Sequence, residues 1–277
     1  LLLVDEKGMQ FAGYRELMSD APADRLLQPG DPPPVMTIND SGASPFLIVC
    51  DHAGRHLPIA LGSLGLPEDE LRRHIAWDIG AWGVSRELSL RLDAAVIGQA
   101  YSRLVIDCNR AIGHPTSIAR RSEATDIAGN LSVSEAERSA RAAAIFTPYH
   151  QAITAALDRR QAAGRESVVI AMHSFTPVFH GVARRWHAGV LFNRDPRLAL
   201  ALAALLREEP GLVIGENEPY QLSDGSDYTI PVHAEQRGLI HVEIEVRQDL
   251  IAEPAGQTAW ADRLARLLPQ ALATLTG

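Results

Sequence analysis

Four ionisable side chains sit where apolar runs end or a helical stretch begins. His52 follows FLIVCD, Asp78 precedes the helix-like IGAWGVSREL, His173 follows VVIAM, and Glu245 lies inside LIHVEIEV. In an open α/β sheet, ligands bind outside the carboxyl ends of the strands. Residues so far apart in sequence can therefore meet at one rim. Two imidazoles and a carboxylate suit a zinc ion with an open position, and a further carboxylate suits proton transfer from water. That is the constellation of a metal-dependent hydrolase. Each member also has a plainer reading: a loop histidine, a helix N-cap at Asp78, or an exposed acidic strand face.

The segment around Glu245 is the richest. Period-two geometry places His241, Glu243, Glu245 and Arg247 on one face, with Val242, Ile244 and Val246 on the other. One side is thus buried, and the other either lines a site or faces solvent on an edge strand. Glu245 lies nearer the strand's carboxyl end and is the preferred base, with Glu243 second. SRLVIDCNR supplies Arg103, Asp107, Asn109 and Arg110. An Asn-Arg pair just past an apolar run is either a carboxylate clamp, with two parallel guanidinium hydrogen bonds, or a structural ion pair. Ser174 follows His173, but no GxSxG elbow surrounds it. HExxH and glycine-rich phosphate loops are also absent from the sequence. His150 and His233 are further candidates, and His56 is set aside because Gly54 and Pro58 oppose a helix there.

The elements that must position these groups alternate. Short apolar runs at 46–50, 94–97, 104–108, 168–172, 190–192, 212–214 and 239–246 read as strands. Helical patterns occupy 67–75, 79–92, 134–163, 195–209 and 257–274, the third opening on a Ser134/Glu137 capping-box pattern. Alternation of this kind means an α/β fold. Residues 111–133 read as a long loop of the sort that covers a site. Residues 1–44, with PGDPPP and NDSGASP, read as a peripheral, partly irregular segment, and 45–277 as the catalytic domain.

Composition narrows the class. The chain's 277 residues and 46% hydrophobic content suit one large domain. A net charge of −8, few aromatics and no basic stripe argue against nucleic-acid binding. No apolar stretch approaches the roughly 20 residues of a membrane helix, and LLLV is too short for a signal-peptide core. A cytoplasmic location is the expectation. Lys7 is the only lysine, so arginines carry weight only within motifs. Cys50 and Cys108 lie in apolar runs and read as buried thiols.

In CDHAG, WDIGAWGVSREL, YSRLVIDCNR, PYHQAI, AMHSF, NEPY and HVEIEVRQDLI, taken in order, the chain resembles the N-formylglutamate amidohydrolase family. The resemblance implies a zinc exopeptidase-like fold: one three-layer domain with a mixed, mostly parallel sheet between helices. It implies Zn2+ on His52, Asp78 and His173, and Glu245 (or Glu243) as the general base. Zinc carboxypeptidases use His-x-x-Glu, whereas position 55 here is Arg55, so Asp78 is inferred as the second ligand. Asn109 and Arg110 resemble the carboxypeptidase pair that holds a substrate carboxylate. Arg103 or His233 would face the oxyanion, and Ser174 and Arg247 complete the expected substrate-facing set. The expected substrate is a small N-acyl amino acid, an acidic one such as N-formylglutamate. Its second carboxylate would be held by Arg184 or Arg185. The final segment reads EIEVRQDL rather than E-x-x-R followed by Leu-Tyr, which places the chain in a related subgroup.

Overall fold

The computed structural model describes residues 26–276. Residues 1–25 of the segment expected to be peripheral lie outside the described residues.

Among the described residues, seven strands form the main sheet: β1 (Val35–Ile38), β2 (Phe46–Cys50), β3 (Ala95–Gln99), β4 (Val168–Phe175), β5 (Ala188–Leu191), β6 (Ile214–Glu216) and β7 (Ile240–Arg247). Their spatial order is β1-β3-β2-β4-β7-β5-β6. The strands β3, β2, β4 and β7 run parallel, while β1 on β3 and β5 on β7 are antiparallel. This is an α/β domain with a mixed, mostly parallel sheet flanked by helices. The central strands are apolar throughout because both faces are covered.

Period-two alternation sorts the side chains into two cores. Phe46, Ile48, Val168, Ile170, Val242 and Ile244 face one side. There they pack against α1 (Ala81–Leu92), α3 (Arg197–Glu208) and α4 (Pro254–Thr276). Leu47, Val49, Val169 and Ala171 face the other side, where α2 (Thr147–Ala162) contributes Ile153, Ala156 and Leu157. A seven-residue helix, Glu135–Arg141, leads into α2 through a π turn, and its Ser134/Glu137 capping box forms as the pattern requires.

Three expectations change, and one open alternative closes. Leu104–Cys108 is buried turn, not strand. Its carbonyls are met by side chains instead of a ladder: Asn130 Nδ2 donates to Leu104 O at 2.8 Å and Arg141 Nη1 to Val105 O at 3.0 Å. β7 is not an edge strand but lies inside the sheet between β4 and β5. Val35–Ile38, within the segment read as irregular, is the edge strand on β3. The helix expected over 67–75 ends at Leu71, so His74 falls in a turn.

Candidate metal centre and its cavity

The strand ends converge as the placement of the four residues suggested. His52 leaves β2, where Gly54 lies against Ala100: a Cβ at position 54 would sit 1.9 Å from the Ala100 carbonyl oxygen. Gly54 N–H donates to Gln99 O and His56 N–H to Ala100 O, so the exit is latched to the end of β3. Asp78 is held by its own N–H donating to His52 O at 3.0 Å. It does not cap α1; Gly80 is the N-cap, with φ of 84°. Its carboxylate turns instead to the histidines.

Asp78 Oδ2 lies 2.8 Å from His173 Nδ1 and 3.3 Å from His52 Nδ1. One donor atom from each of His52, Asp78 and His173 falls within 4.8 Å of the other two, and all three residues are buried. The outer ring nitrogens find other carboxylates. His52 Nε2 meets Asp107 Oδ1 at 2.8 Å, and His173 Nε2 meets Asp51 Oδ2 at 3.1 Å. A carboxylate behind each imidazole fixes the ring and raises its basicity, as in metal centres generally. Two Nδ1 atoms and a carboxylate oxygen, each supported in this way, could hold a divalent metal ion.

The charges are balanced among themselves. Burial opposes protonation of both histidines, yet the surrounding carboxylates outweigh it. His52 rises through Asp107 and Asp78, and His173 rises well above the usual value through Glu243, Asp51 and Asp78. Burial likewise opposes ionisation of Asp78, but His52 and His173 hold it far below the usual carboxylate range. For Asp107, Arg103 and His52 outweigh burial in the same way. Arg103 binds Asp107 Oδ2 at 2.6 Å and lies 3.6 Å from Asp78 Oδ1, bracing both.

Glu245 is paired in register with His173 on one side and Gly189 on the other. Both Glu243 and Glu245 are buried, and the Oε2 of each lacks a hydrogen-bond partner. Burial pushes the Glu245 carboxyl up to about 7 and Glu243 well above its usual range. A carboxyl poised near neutrality is suited to proton transfer.

These groups open onto a cavity of about 620 Å³ lined by His52, Asp78, His173, Glu243, Glu245 and Arg103, with Asn109, Arg110, Asp227, Phe175, Phe179 and Tyr220 further out. The 111–133 loop supplies a wall through Thr116, Ala119 and Arg121 to Glu123. Arg110 lies 3.6 Å from Asp227. The Asn109 side chain is occupied internally: its Oδ1 accepts from Tyr228 N–H and Thr229 N–H, and its Nδ2 donates to Asp227. Ser174 lines the cavity, but its hydroxyl donates to Ile79 O at 2.9 Å.

Other expected members stand apart. His233 pairs with His150 at 2.9 Å, and neither lines the cavity. Arg247 also lies off the cavity wall and binds Asp249. Arg184 and Arg185 lie over aromatic rings, off the cavity wall. Asp51 and Asp107 received no role from sequence reasoning. Asp51 adjoins His52 yet supports His173, a crossing that no spacing reveals.

A profile of the N-formylglutamate amidohydrolase family matches residues 44–252. No match was found among curated protein sequences. Among solved structures, the gene product Atu2144 from Agrobacterium tumefaciens is 41% identical, with a TM-score of 0.88, over 91% of this chain and 100% of that one. N-formylglutamate amidohydrolase from Ralstonia eutropha JMP134 is 18% identical, with a TM-score of 0.64, over 87% of this chain and 98% of that one. No helix among the described residues is long and apolar enough to cross a membrane. With most of its length matched by the profile and a His-Asp-His cluster at the strand ends, the chain belongs to the N-formylglutamate amidohydrolase family.

Proposed function

We propose that the protein hydrolyses the amide of an N-formyl or other short N-acyl amino acid, releasing the acid and the free amine. The observation that carries this reading is a buried His52–Asp78–His173 cluster sharing one cavity with an unpartnered Glu245 carboxyl. His52 Nδ1, Asp78 and His173 Nδ1 would hold the metal, zinc by its donor set, which supplies Lewis acidity at the amide carbonyl.

Glu245 is the general base. Its carboxylate accepts a proton from the attacking water and returns it to the departing amine. Glu243 lies two residues deeper on the same face, and burial pushes its carboxyl well above the usual range, so it stands second to Glu245 as the base. Arg103 keeps Asp107 ionised through Nε and Nη2 and braces Asp78; its Nη1, 3.6 Å from Asp78, is the donor nearest to developing negative charge. Arg110 donates from Nη1 to Asn109 O at 2.8 Å and lies 3.6 Å from Asp227; its other N–H groups serve as the anchor for the substrate α-carboxylate. Asn109 positions Asp227 and the 227–229 backbone, and thereby Arg110, without reaching the ligand itself. His233, Arg247 and Ser174 have no part in this scheme.

The test is formate release from a panel of N-formyl amino acids by zinc-reconstituted protein, with Glu245→Gln beside it. Turnover by wild type and its loss in the variant are expected. A metal-loaded protein that frees no amine from any member, or a Glu245→Gln variant as active as wild type, overturns the reading.

A further inference from the structure

The family name points to an acidic side chain on the substrate, which calls for two carboxylate anchors. Among the described residues, the cavity wall offers one. Its wall carries three arginines, Arg103, Arg110 and Arg121, against six carboxylates, Asp78, Asp107, Glu123, Asp227, Glu243 and Glu245. Arg103 is committed to Asp107 and Asp78. Arg121 stands at the mouth with its side chain 61% exposed and lies 3.4 Å from Asp126. Of the histidines, His74 binds Glu123 at 2.9 Å, and His52 and His173 are enclosed by aspartates. Among the described residues of the wall, Arg110 alone combines partial burial with no carboxylate closer than 3.6 Å; its Nη1 is fixed on Asn109 O, and the α-carboxylate needs its other N–H groups.

The remaining wall is aromatic. Phe175 ends β4, Phe179 comes from the 178–183 hairpin, and Tyr220 from the loop after β6. The Arg184 guanidinium lies 5.8, 4.5 and 4.7 Å from the centres of these three rings, and its Nη1 donates to the Tyr220 hydroxyl at 2.8 Å. It keeps its charge behind the rings, with no carboxylate paired to it among the described residues, and it does not line the cavity. Three segments are thus pinned into one surface by a cation behind it. The hairpin also presents Val178 and Val182, both exposed. A carboxylate against this wall would meet two hydrocarbon rings and find one direct donor, the Tyr220 hydroxyl, in place of its water, whereas an apolar side chain gives up no hydrogen bond there.

We infer that the Phe175–Phe179–Tyr220 wall is the subsite for the substrate side chain, and that the protein prefers N-acyl derivatives of apolar or aromatic amino acids over N-formylglutamate. The inference rests on the reading of this cavity as an N-acyl amino acid site. An apolar pocket discriminates by about tenfold or more between a side chain that fills it and one that does not. Zinc-loaded protein is therefore expected to show at least about a tenfold higher kcat/KM for N-formyl-L-phenylalanine or N-formyl-L-leucine than for N-formyl-L-glutamate. Phe179→Ala should shrink that ratio toward one, and Arg121→Ala should leave it standing. Equal or better turnover of N-formyl-L-glutamate, a ratio indifferent to Phe179→Ala, or a ratio created only by Arg121→Ala overturns the inference. Calorimetric binding of the same two compounds to wild type separates this from failure of the reaction itself. If nothing is turned over, tighter binding of N-formyl-L-phenylalanine still supports the subsite. Equal binding, tighter binding of the glutamate compound, or no binding of either overturns it.

Discussion

Two buried histidine pairs invite comparison. His52 and His173 have ring centres 5.1 Å apart, and so do His150 and His233. The first pair meets edge to face at 68°, the second is stacked at 14°. What separates them is the company of carboxylates. Asp78 stands between the first two rings, with Asp107 and Asp51 behind them. The second pair has only itself and a carbonyl: Cys108 O can only accept, so His150 Nε2 carries a proton, and His233 Nε2–H donates to His150 Nδ1. Burial pushes all four imidazoles toward neutrality. Carboxylates reverse this for the first pair, while the second falls to about 4 at His150 and about 3 at His233. Similar burial and equal spacing thus yield a charge-compensated candidate ligand set in one place and a neutral strut in the other.

The comparison breaks most completely at its centre. Asp78→Ala should take bound metal and turnover together to background, measured by elemental analysis and formate release, because it removes one of the three candidate donors and the bridge between the two imidazoles. Glu245→Gln should keep the metal and lower kcat by about 10²- to 10⁴-fold. In wild type, kcat/KM should rise with pH through an apparent pKa at or below about 7, since the base must be deprotonated and a bound cation draws its pKa down. Glu245→Gln should flatten that rise. Asp107→Asn and Asp51→Asn remove the supports behind the rings, and each should weaken metal affinity by about 10- to 100-fold in chelator competition. The smallest effect lies in the second pair. His233→Gln should leave metal content as it was and act on acid stability alone.

The sign of that last effect follows from the depressed values. Unfolded histidine takes up a proton near 6.5, while folded His150 stays neutral down to about 4. The pair's contribution to stability is therefore whole above pH 6.5 and is lost as pH falls toward 4. Urea midpoints of wild type should drop over that window, and the drop should be shallower in His233→Gln. A variant that loses metal instead would erase the distinction between the two pairs.

Much of this was legible in the residues. Strands ending in His52 and His173 are readable because an apolar run followed by a polar side chain has few other uses in a parallel sheet. The Ser134/Glu137 cap and the alternation of Ile240–Arg247 are local, and local patterns survive folding. What failed was non-local. Leu104–Cys108 looks like a strand because its side chains are buried, but burial there comes from a turn fastened by Asn130 and Arg141. The acidic face of β7 looked compatible with an edge because the sequence does not show β5 arriving antiparallel beside it. Arg184 looked like a second anchor because a guanidinium's partner can be a carboxylate or a ring, and only the fold shows which.

Gly189 stands opposite Glu245 in the sheet, and a Cβ there would come within 1.9 Å of the Glu218 carbonyl oxygen. The loop that carries Pro219 and Tyr220 to the cavity therefore rests on a missing methyl group. A single codon sets how closely that loop approaches the base. In a library randomised at position 189 and selected for turnover, glycine should dominate. The rare survivors should differ first in which amino acid they release and only later in how fast, making this position a hinge for the evolution of substrate range.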